Sequence, residues 1–320
     1  MLTAIALSTS AMSSPFPQVQ ASDLSKGRIM FLGDSITMAG YYVSDIEYVL
    51  NVKLPRQQFD LISVGLASET LSGLSESVHP FPRPCVHDRL WAALDMVKPK
   101  FVFACYGIND GIYHPLSEDR FKAFKDGVKK LLAINKAVGV KTILLTPPPF
   151  DPIAAGGSLR PATAPDFSWM NVYEGYDDVV QKYGEWEKTL DGPDVQVVDV
   201  HEPVMTYVQA QRRTHPRFTL SGDGVHMNEL GHWLMAKAVL KSLGINDADL
   251  PYQGDFALIQ ADPIYKLVAQ RRQLRSDAWL PYIGYVRGEA FKSTSVDRAE
   301  IVASKLQSQI DVLRKKSNRS

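Results

Sequence analysis

The alternation of short apolar runs with amphipathic segments constrains the fold of this chain more than any other feature. Five runs are apolar on both faces and rich in β-branched or aromatic residues: RIMFLG (28–33), FDLISVG (59–65), KFVFACYG (100–107), KTILLTP (141–147) and VQVVDV (195–200). Strands buried on both faces have this composition, which is typical of a parallel sheet covered by helices. The alternation therefore predicts an α/β domain with right-handed crossovers.

Two segments have clear helical signals. The segment 117–138 begins with Ser117, a residue type favoured at the N-cap, and ends before Gly139. A second helix is predicted over 228–243, with Gly244 just past its end. The first of these helices lies between the third and fourth predicted strands, as a crossover helix should, and the second lies after the last predicted strand.

After about residue 250 the alternation stops. Apolar residues then recur at helical spacing, which predicts two amphipathic helices; these residues are Ile264, Leu267, Val268 and Leu274, and then Val302, Leu306, Ile310 and Leu313. We therefore divide the chain into a leader (1–26), a domain (27–250) and a C-terminal helical extension (251–320). We expect the extension to pack on the domain. A separate interaction element that lets the chain form oligomers is the alternative.

The leader resembles a secretory signal in part. It has a short apolar patch and a small-residue cleavage site at Val19-Gln20-Ala21, but its first cation is Lys26, so it lacks a basic n-region. We expect a secreted or periplasmic protein. A leader without a targeting role, and a cytoplasmic location, are the alternative.

Composition excludes several classes of protein. Lys plus Arg equals Asp plus Glu, at 35 each, so neither nucleic acid nor an anionic membrane is indicated as a partner. No window approaches the ~18 apolar residues of a membrane span. Cys85 and Cys105 form no metal-binding spacing, and whether they pair is open. Motifs for phosphate loops, dinucleotides and zinc proteases are absent, so no metal or cofactor is expected.

Polar residues follow the predicted strands. Gly33-Asp34-Ser35 ends the first strand, where Ser35 can be either a helix cap or an exposed nucleophile and Asp34 is expected to brace the turn. Asp223 precedes His226 by three residues on one loop, so the carboxylate can orient the imidazole. Asn109 and Gly65 follow or close two further strands and can donate to an oxyanion. Each feature alone is also ordinary turn or cap chemistry.

Together these blocks resemble the conserved blocks of the SGNH (GDSL-type) hydrolases. The resemblance rests on GDSIT (33–37), Gly65, GIND (107–110) and DGVH (223–226), and spans roughly residues 28–243. It implies a three-layer α/β/α flavodoxin-like fold and a serine esterase or acylhydrolase without metal. Ser63 is a departure, since the family often has Asn at that position.

The resemblance also implies roles for single residues. Ser35 would be the nucleophile, His226 its base and Asp223 the residue that orients His226. The backbone N–H groups of Ser35 and Gly65 and the amide of Asn109 would form the oxyanion hole.

The substrate is predicted from two long loops, 71–88 and 147–168, which leave the carboxyl ends of strands. The candidate substrate contacts are Asp34, Phe81, Tyr113, Phe150 and Trp169. Exposed aromatic rings can stack on sugars, which favours deacetylation of a carbohydrate, although the same rings can simply pack the loops down. A lysophospholipase or thioesterase, and an inactive carbohydrate-binding protein on the same scaffold, are the alternatives.

Overall fold

Five parallel strands form the central sheet, and a short parallel pair lies outside it. The structure, a computed structural model, describes residues 16–284 and 293–317. Its strands are β1 (Ile29–Gly33), β2 (Leu61–Ser63), β3 (Phe101–Cys105), β4 (Lys141–Leu145), β5 (Leu159–Arg160), β6 (Val172–Tyr173) and β7 (Val195–Val198). The sheet order is β2-β1-β3-β4-β7, and β5 pairs with β6. The five predicted runs are thus the five strands of one parallel sheet.

Helices connect these strands and continue past the last one. They are α1 (Ser35–Ala39), α2 (Tyr41–Lys53), α3 (Leu90–Val97), α4 (Glu118–Ala137), α5 (Pro152–Ala155), α6 (Tyr176–Lys188), α7 (His201–Arg212), α8 (Glu229–Ser242), α9 (Phe256–Ala261), α10 (Pro263–Tyr282) and α11 (Val296–Ser317). Short 3₁₀ turns cover Ala21–Lys26, Val86–Asp88, Gly156–Ser158, Asp247–Asp249 and Pro251–Gly254.

The two predicted helices are α4 and α8. Ser117 occupies the N-cap position of α4, but its side chain makes no capping hydrogen bond. Asn228 caps α8 through its side-chain oxygen, which accepts the N–H of Gly231 at 3.0 Å.

The sheet is covered on both faces. The chain moves from β1 to β2 in one direction and from β3 through β4 to β7 in the other, and right-handed crossovers in opposite directions lie on opposite faces. Helix α2 contacts both α8 and α10, and α4 packs against α6 through Phe124 and Tyr183, whose ring centroids are 4.4 Å apart. The predicted three-layer α/β/α arrangement is confirmed. The strand order reverses between β1 and β3, where folds of this kind bind ligands.

The central strands have no polar face. Every residue of β1 and β3 is buried, and Phe31 on β1 stacks on its register partner Phe103 on β3 at 4.7 Å. Burying one such ring stabilises the fold by ~1.5–3 kcal/mol. This two-sided burial is why the apolar runs could be recognised as parallel strands.

The folded part begins before the expected boundary at residue 27. Val19, Ala21 and Leu24 are buried, the N–H of Val19 donates to Gln196 Oε1 at 2.7 Å, and the N–H of Ala21 donates to the carbonyl of Leu243 at 2.9 Å. The stretch around the predicted cleavage site therefore packs on the domain. Residues 1–15 of the predicted leader lie outside the described residues.

The C-terminal extension packs on the domain, as expected. From α10, Arg271 pairs with Glu47 on α2, and Arg275 Nη1 donates to the carbonyl of Leu61 at 2.7 Å. None of the helices within 16–284 and 293–317 combines the length and the hydropathy that a membrane-spanning helix requires. Oligomerisation through these helices stays a prediction.

Candidate active site

Ser35 lies at the turn between β1 and α1, at the carboxyl edge of the sheet. The N-cap of α1 is Asp34, whose Oδ1 accepts the N–H of Ile36 at 2.9 Å. Ser35 is therefore the first residue of the helix and not its cap, and its partly buried side chain lines a cleft. The turn presents the hydroxyl of Ser35 to this cleft.

A chain of hydrogen bonds connects Ser35 with two groups from the loop before α8. His226 Nε2 lies 2.8 Å from Ser35 Oγ, and His226 Nδ1 lies 2.6 Å from Asp223 Oδ2. An ionised carboxylate only accepts hydrogen bonds, so Nδ1–H donates to Asp223. Nε2 of the neutral imidazole then accepts from the hydroxyl of Ser35.

The loop fixes the carboxylate of Asp223. Its Oδ1 accepts the backbone N–H groups of Val225 and His226 at 2.9 and 2.8 Å, and the hydroxyl of Ser221 donates to the same oxygen at 3.1 Å. Partial burial opposes ionisation of Asp223, but the hydrogen bonds from the side chain and backbone of His226 hold its pKa well below the usual range. The hydrogen bond to Asp223 in turn raises the pKa of His226 above its usual value, against the effect of burial.

The cleft around these groups has a volume of about 680 Å³ and a mixed lining. Phe81, Tyr113 and Trp169, three of the predicted aromatic contacts, line it. Trp169 is half exposed, at 47%, whereas Tyr113 is buried. Polar side chains from several segments line the same cleft: Ser35, Ser68, His79, Arg83, Asn109, Ser158, Asp223 and His226.

Asn109 follows β3 and also lines the cleft. Its Oδ1 accepts from Arg83 Nη1 at 3.0 Å and from the hydroxyl of Tyr113 at 2.9 Å, while Nδ2 donates to the carbonyl of Glu69 at 3.4 Å. An arginine only donates, so Oδ1 must face Arg83 and the amide orientation is set. One N–H of Asn109 thus stays available for another acceptor.

Gly65 lies outside the cleft. A Cβ at this position would be 2.3 Å from Met38 N and 2.5 Å from the carbonyl carbon of Thr37, so only glycine fits beneath α1. Gly65 instead borders a smaller cavity next to α10. Two residues of this segment, Ala67 and Ser68, line the cleft with Ser35 and Asn109, and Ser68 has a positive φ of 67°. A non-glycine residue in this region is strained by about 1–3 kcal/mol, which is common at functional sites.

Two further predicted contacts are not in the cleft. Asp34 is buried under α1, where desolvation raises its pKa to about 7. Phe150 is fully buried, and its ring packs edge-on against Tyr176 at 5.7 Å between centroids. Both residues support the walls of the site from within the core.

Sequence reasoning missed Ser68, Arg83 and Glu76. Glu76 and Arg83 lie seven residues apart on one long loop, and opposite charges at that distance could have indicated an ion pair. The local sequence contains no signal that Ser68 has a positive φ.

Within residues 16–284 and 293–317, no cluster of His, Cys, Asp and Glu side chains could hold a metal ion. Cys85 and Cys105 are free thiols.

Comparison with known families shows the family to which this chain belongs. The model of the GDSL-like lipase/acylhydrolase family matches residues 31–234, which include Ser35, Asn109, Asp223 and His226. The chain belongs to the GDSL-like lipase/acylhydrolase family. This GDSL-like protein is thus a hydrolase that acts on ester bonds, as the resemblance of its four blocks implied.

Solved structures resemble the GDSL-like protein at low identity. A gut microbial diltiazem-metabolizing enzyme aligns with a TM-score of 0.52 and 19% identity, over 73% of this chain and 48% of that one, so the chain spans about half its length. An acetylxylan esterase from Geobacillus stearothermophilus (TM-score 0.46, 21% identity) is covered over 94% of its length and 68% of this chain. An alpha/beta hydrolase enzyme from the metagenome of Lake Arreo, Spain (0.46, 23%) is covered over 95%, again with 68% of this chain. No curated protein matches the chain.

Proposed function

We propose that the cleft hydrolyses carboxylic esters through an acyl-enzyme on Ser35. The observation that carries this proposal is the continuous chain of hydrogen bonds from Asp223 through His226 to Ser35, which is open to the cleft. A serine hydroxyl becomes a strong nucleophile only when a base takes its proton. In this arrangement His226 is the base, and Asp223 holds it in the required tautomer.

The reaction has two steps. Ser35 Oγ bonds to the ester carbonyl carbon while its proton moves to His226 Nε2. The tetrahedral intermediate then expels the alcohol, which takes the proton from Nε2 as the C–O bond breaks. Water attacks the acyl-enzyme with the same proton transfers, releasing the carboxylic acid and restoring Ser35.

We assign the oxyanion hole to Ser35, Ser68 and Asn109. Backbone N–H groups and amide side chains that surround the developing oxyanion stabilise the tetrahedral intermediate. Ser68 replaces Gly65 in this assignment because Ser68 lines the cleft next to Ser35, whereas Gly65 packs beneath α1. The strained backbone of Ser68 is explained if it aims a peptide N–H at the reacting carbonyl.

We further propose that the substrate is an acetyl ester of a carbohydrate. Trp169 offers a half-exposed ring for stacking on a sugar, and the cleft also contains polar side chains that can hydrogen-bond to sugar hydroxyls. The cleft also contains apolar side chains that a longer acyl chain could contact, among them Met170, Val172 and Val225, so the two substrate classes have to be compared directly.

A substrate panel tests this assignment. We expect purified protein to hydrolyse acetylated xylo-oligosaccharides with higher kcat/KM than p-nitrophenyl octanoate. Trp169→Ala should raise KM for the oligosaccharide about tenfold, the effect of one lost stacking contact, while leaving p-nitrophenyl acetate unaffected. Preference for the octanoate would favour a lipid acylhydrolase. Failure of a fluorophosphonate probe to label Ser35 would favour an inactive binding protein.

A further inference from the structure

A buried ion pair lies in the wall of the cleft, where Arg83 is one of the lining residues. Arg83 Nε and Nη2 donate to the two carboxylate oxygens of Glu76 at 2.6 and 2.8 Å, and the side chains are only 2% and 1% exposed. Removing two charges from water costs several kcal/mol per ion, and replacing such a pair by apolar residues is often neutral or stabilising. Stability alone therefore does not account for this pair, and its remaining contacts point to a role in the site.

Arg83 holds two of the proposed oxyanion donors. Its Nη1 donates to Asn109 Oδ1 at 3.0 Å and to the carbonyl of Ser68 at 3.4 Å. The first bond keeps the amide of Asn109 from rotating, because a flipped amide would place its NH₂ group against the guanidinium. The second bond holds the carbonyl of the strained residue Ser68, which is joined through the same Cα to the N–H group assigned as oxyanion donor.

Tyr113 completes the support for Asn109. Its hydroxyl donates to Asn109 Oδ1 at 2.9 Å, and its ring lies 5.4 Å from the guanidinium carbon of Arg83. The backbone of Tyr113 also has a positive φ, 62°. Both acceptor positions of Oδ1 are thus occupied, one by a cation, and hydrogen bonds to charged groups are the stronger ones.

Glu76 extends the network to Trp169, which directly follows the second long loop. Its Oε1 accepts the backbone N–H of Trp169 at 3.2 Å, so the same carboxylate contacts both Arg83 and the aromatic wall of the cleft. The donors of Arg83 that the structure records are directed at protein acceptors, which argues against a role in binding a substrate anion.

We propose that Arg83, held by Glu76, is a positioning residue that fixes Asn109 and Ser68 as oxyanion donors and couples them to the loop carrying Trp169. The inference rests on the ester hydrolysis proposed above. A neighbouring cation also polarises the amide of Asn109, which makes its free N–H a better donor to the tetrahedral oxyanion than to the planar ester. The loss of Arg83 should therefore lower kcat more than it raises KM.

The test is a double-mutant cycle on p-nitrophenyl acetate. We expect Arg83→Gln to lower kcat ~10–100-fold with KM changed less than about threefold, since a misplaced donor loses part of the ~10²–10³ that one oxyanion donor contributes. In an Asn109→Ala background the same change should cost less than about fivefold. An equal loss in both backgrounds, or a rise in KM alone, would overturn the proposal.

Matched variants separate positioning from folding. Arg271→Gln removes a comparably buried ion pair on α10, away from the cleft. It should lower the Tm, but at temperatures below the unfolding transition its kcat should stay within about twofold of the wild-type value. If Arg83→Gln folds poorly, Tyr113→Phe can be used instead, because it removes the other hydrogen bond to Asn109 Oδ1. We expect Tyr113→Phe to lower kcat, and to lower it by a smaller factor in the Asn109→Ala background. An unchanged kcat in Tyr113→Phe counts against the proposal. Turnover retained by Ser35→Ala would refute the proposed function itself, independently of Arg83.

Discussion

The proton affinity of His226 depends on the groups that contact its two ring nitrogens. Asp223 accepts from Nδ1 and raises the pKa of His226, while Ser35 occupies Nε2. The base in the proposed reaction is the neutral imidazole. A raised pKa therefore delays its formation to higher pH.

The pH dependence of kcat/KM should show this effect. We expect activity to rise with pH through a midpoint above 6.5, the ordinary value for histidine. Asp223→Asn removes the leading cause of the shift, so its midpoint should fall, and its kcat should drop by roughly 10⁴-fold because the tautomer is no longer enforced. An acid limb at the same pH in both proteins, measured with p-nitrophenyl acetate, would contradict this interpretation.

At the scale of single residues, the sequence predicted those site residues that a short local pattern marks. Asp223 and His226 share one short loop, and Ser35 follows a recognisable strand, so the hydrogen bonds among them agree with expectation. Ser68 and Arg83 could not be found in this way. Their placement depends on how the 71–88 loop folds, since Arg83 on this loop contacts Ser68 and Asn109, which lie 15 and 26 residues away in sequence.

Among the elements, α8 and α2 meet around a buried histidine. Nδ1 of His232 accepts the backbone N–H of Tyr42 at 3.4 Å, so the ring is neutral, and burial next to Arg272 and His226 lowers its pKa to about 3. A group whose pKa is depressed in the folded state contributes stability above its ordinary pKa. That stability is lost as the pH falls toward the folded value.

His232→Gln should therefore change the pH dependence of stability. As the pH falls from 6.5 toward 3, the free energy of unfolding of the wild type should decrease relative to the variant by about 1.4 kcal/mol per pH unit. Asp34, with a raised pKa, acts in the opposite direction in this range, so only the difference between the two proteins is diagnostic. Urea unfolding at several pH values measures it, and parallel curves would contradict the assignment.

The elements that sequence predicted well are those with a long local pattern. The apolar runs gave all five strands of the sheet, and α4 and α8 begin and end within about two residues of expectation. The pair β5–β6 was missed because each strand has only two residues. It is held by loop contacts such as the bond from Tyr173 N–H to the carbonyl of Tyr113 at 2.9 Å.

In the whole molecule, the C-terminal extension is bound to the domain by arginines of α10. Arg271 and Glu47 form an ion pair with side chains 8% and 1% exposed, and Arg272 Nη2 donates to the carbonyl of Ala39 at 3.1 Å. Sequence predicted amphipathic helices here but not that charged residues would form the contact. The helical spacing of apolar residues predicts which residues of a helix are buried. Whether a charged residue is also buried depends on the groups on the domain that pair with it.

Removal of Arg271 should destabilise the whole fold. Arg271→Gln leaves the buried carboxylate of Glu47 without its cation, which costs ~3–5 kcal/mol. Lys122→Gln, which removes an exposed pair with Asp126, is the control and should cost less than ~1 kcal/mol. Thermal unfolding measures both. Equal Tm values for the two variants would show that the extension does not stabilise the domain through this contact.

The fold brings a hydroxyl after β1 and an imidazole 191 residues later to within 2.8 Å. Turnover of p-nitrophenyl acetate by Ser35→Ala, with folding checked by circular dichroism, tests the proposed chemistry most directly. We expect a loss of at least ~10⁴-fold, since removing the nucleophile stops acyl-enzyme formation. Turnover within tenfold of the wild type in a folded Ser35→Ala variant would contradict the assignment of Ser35 as nucleophile.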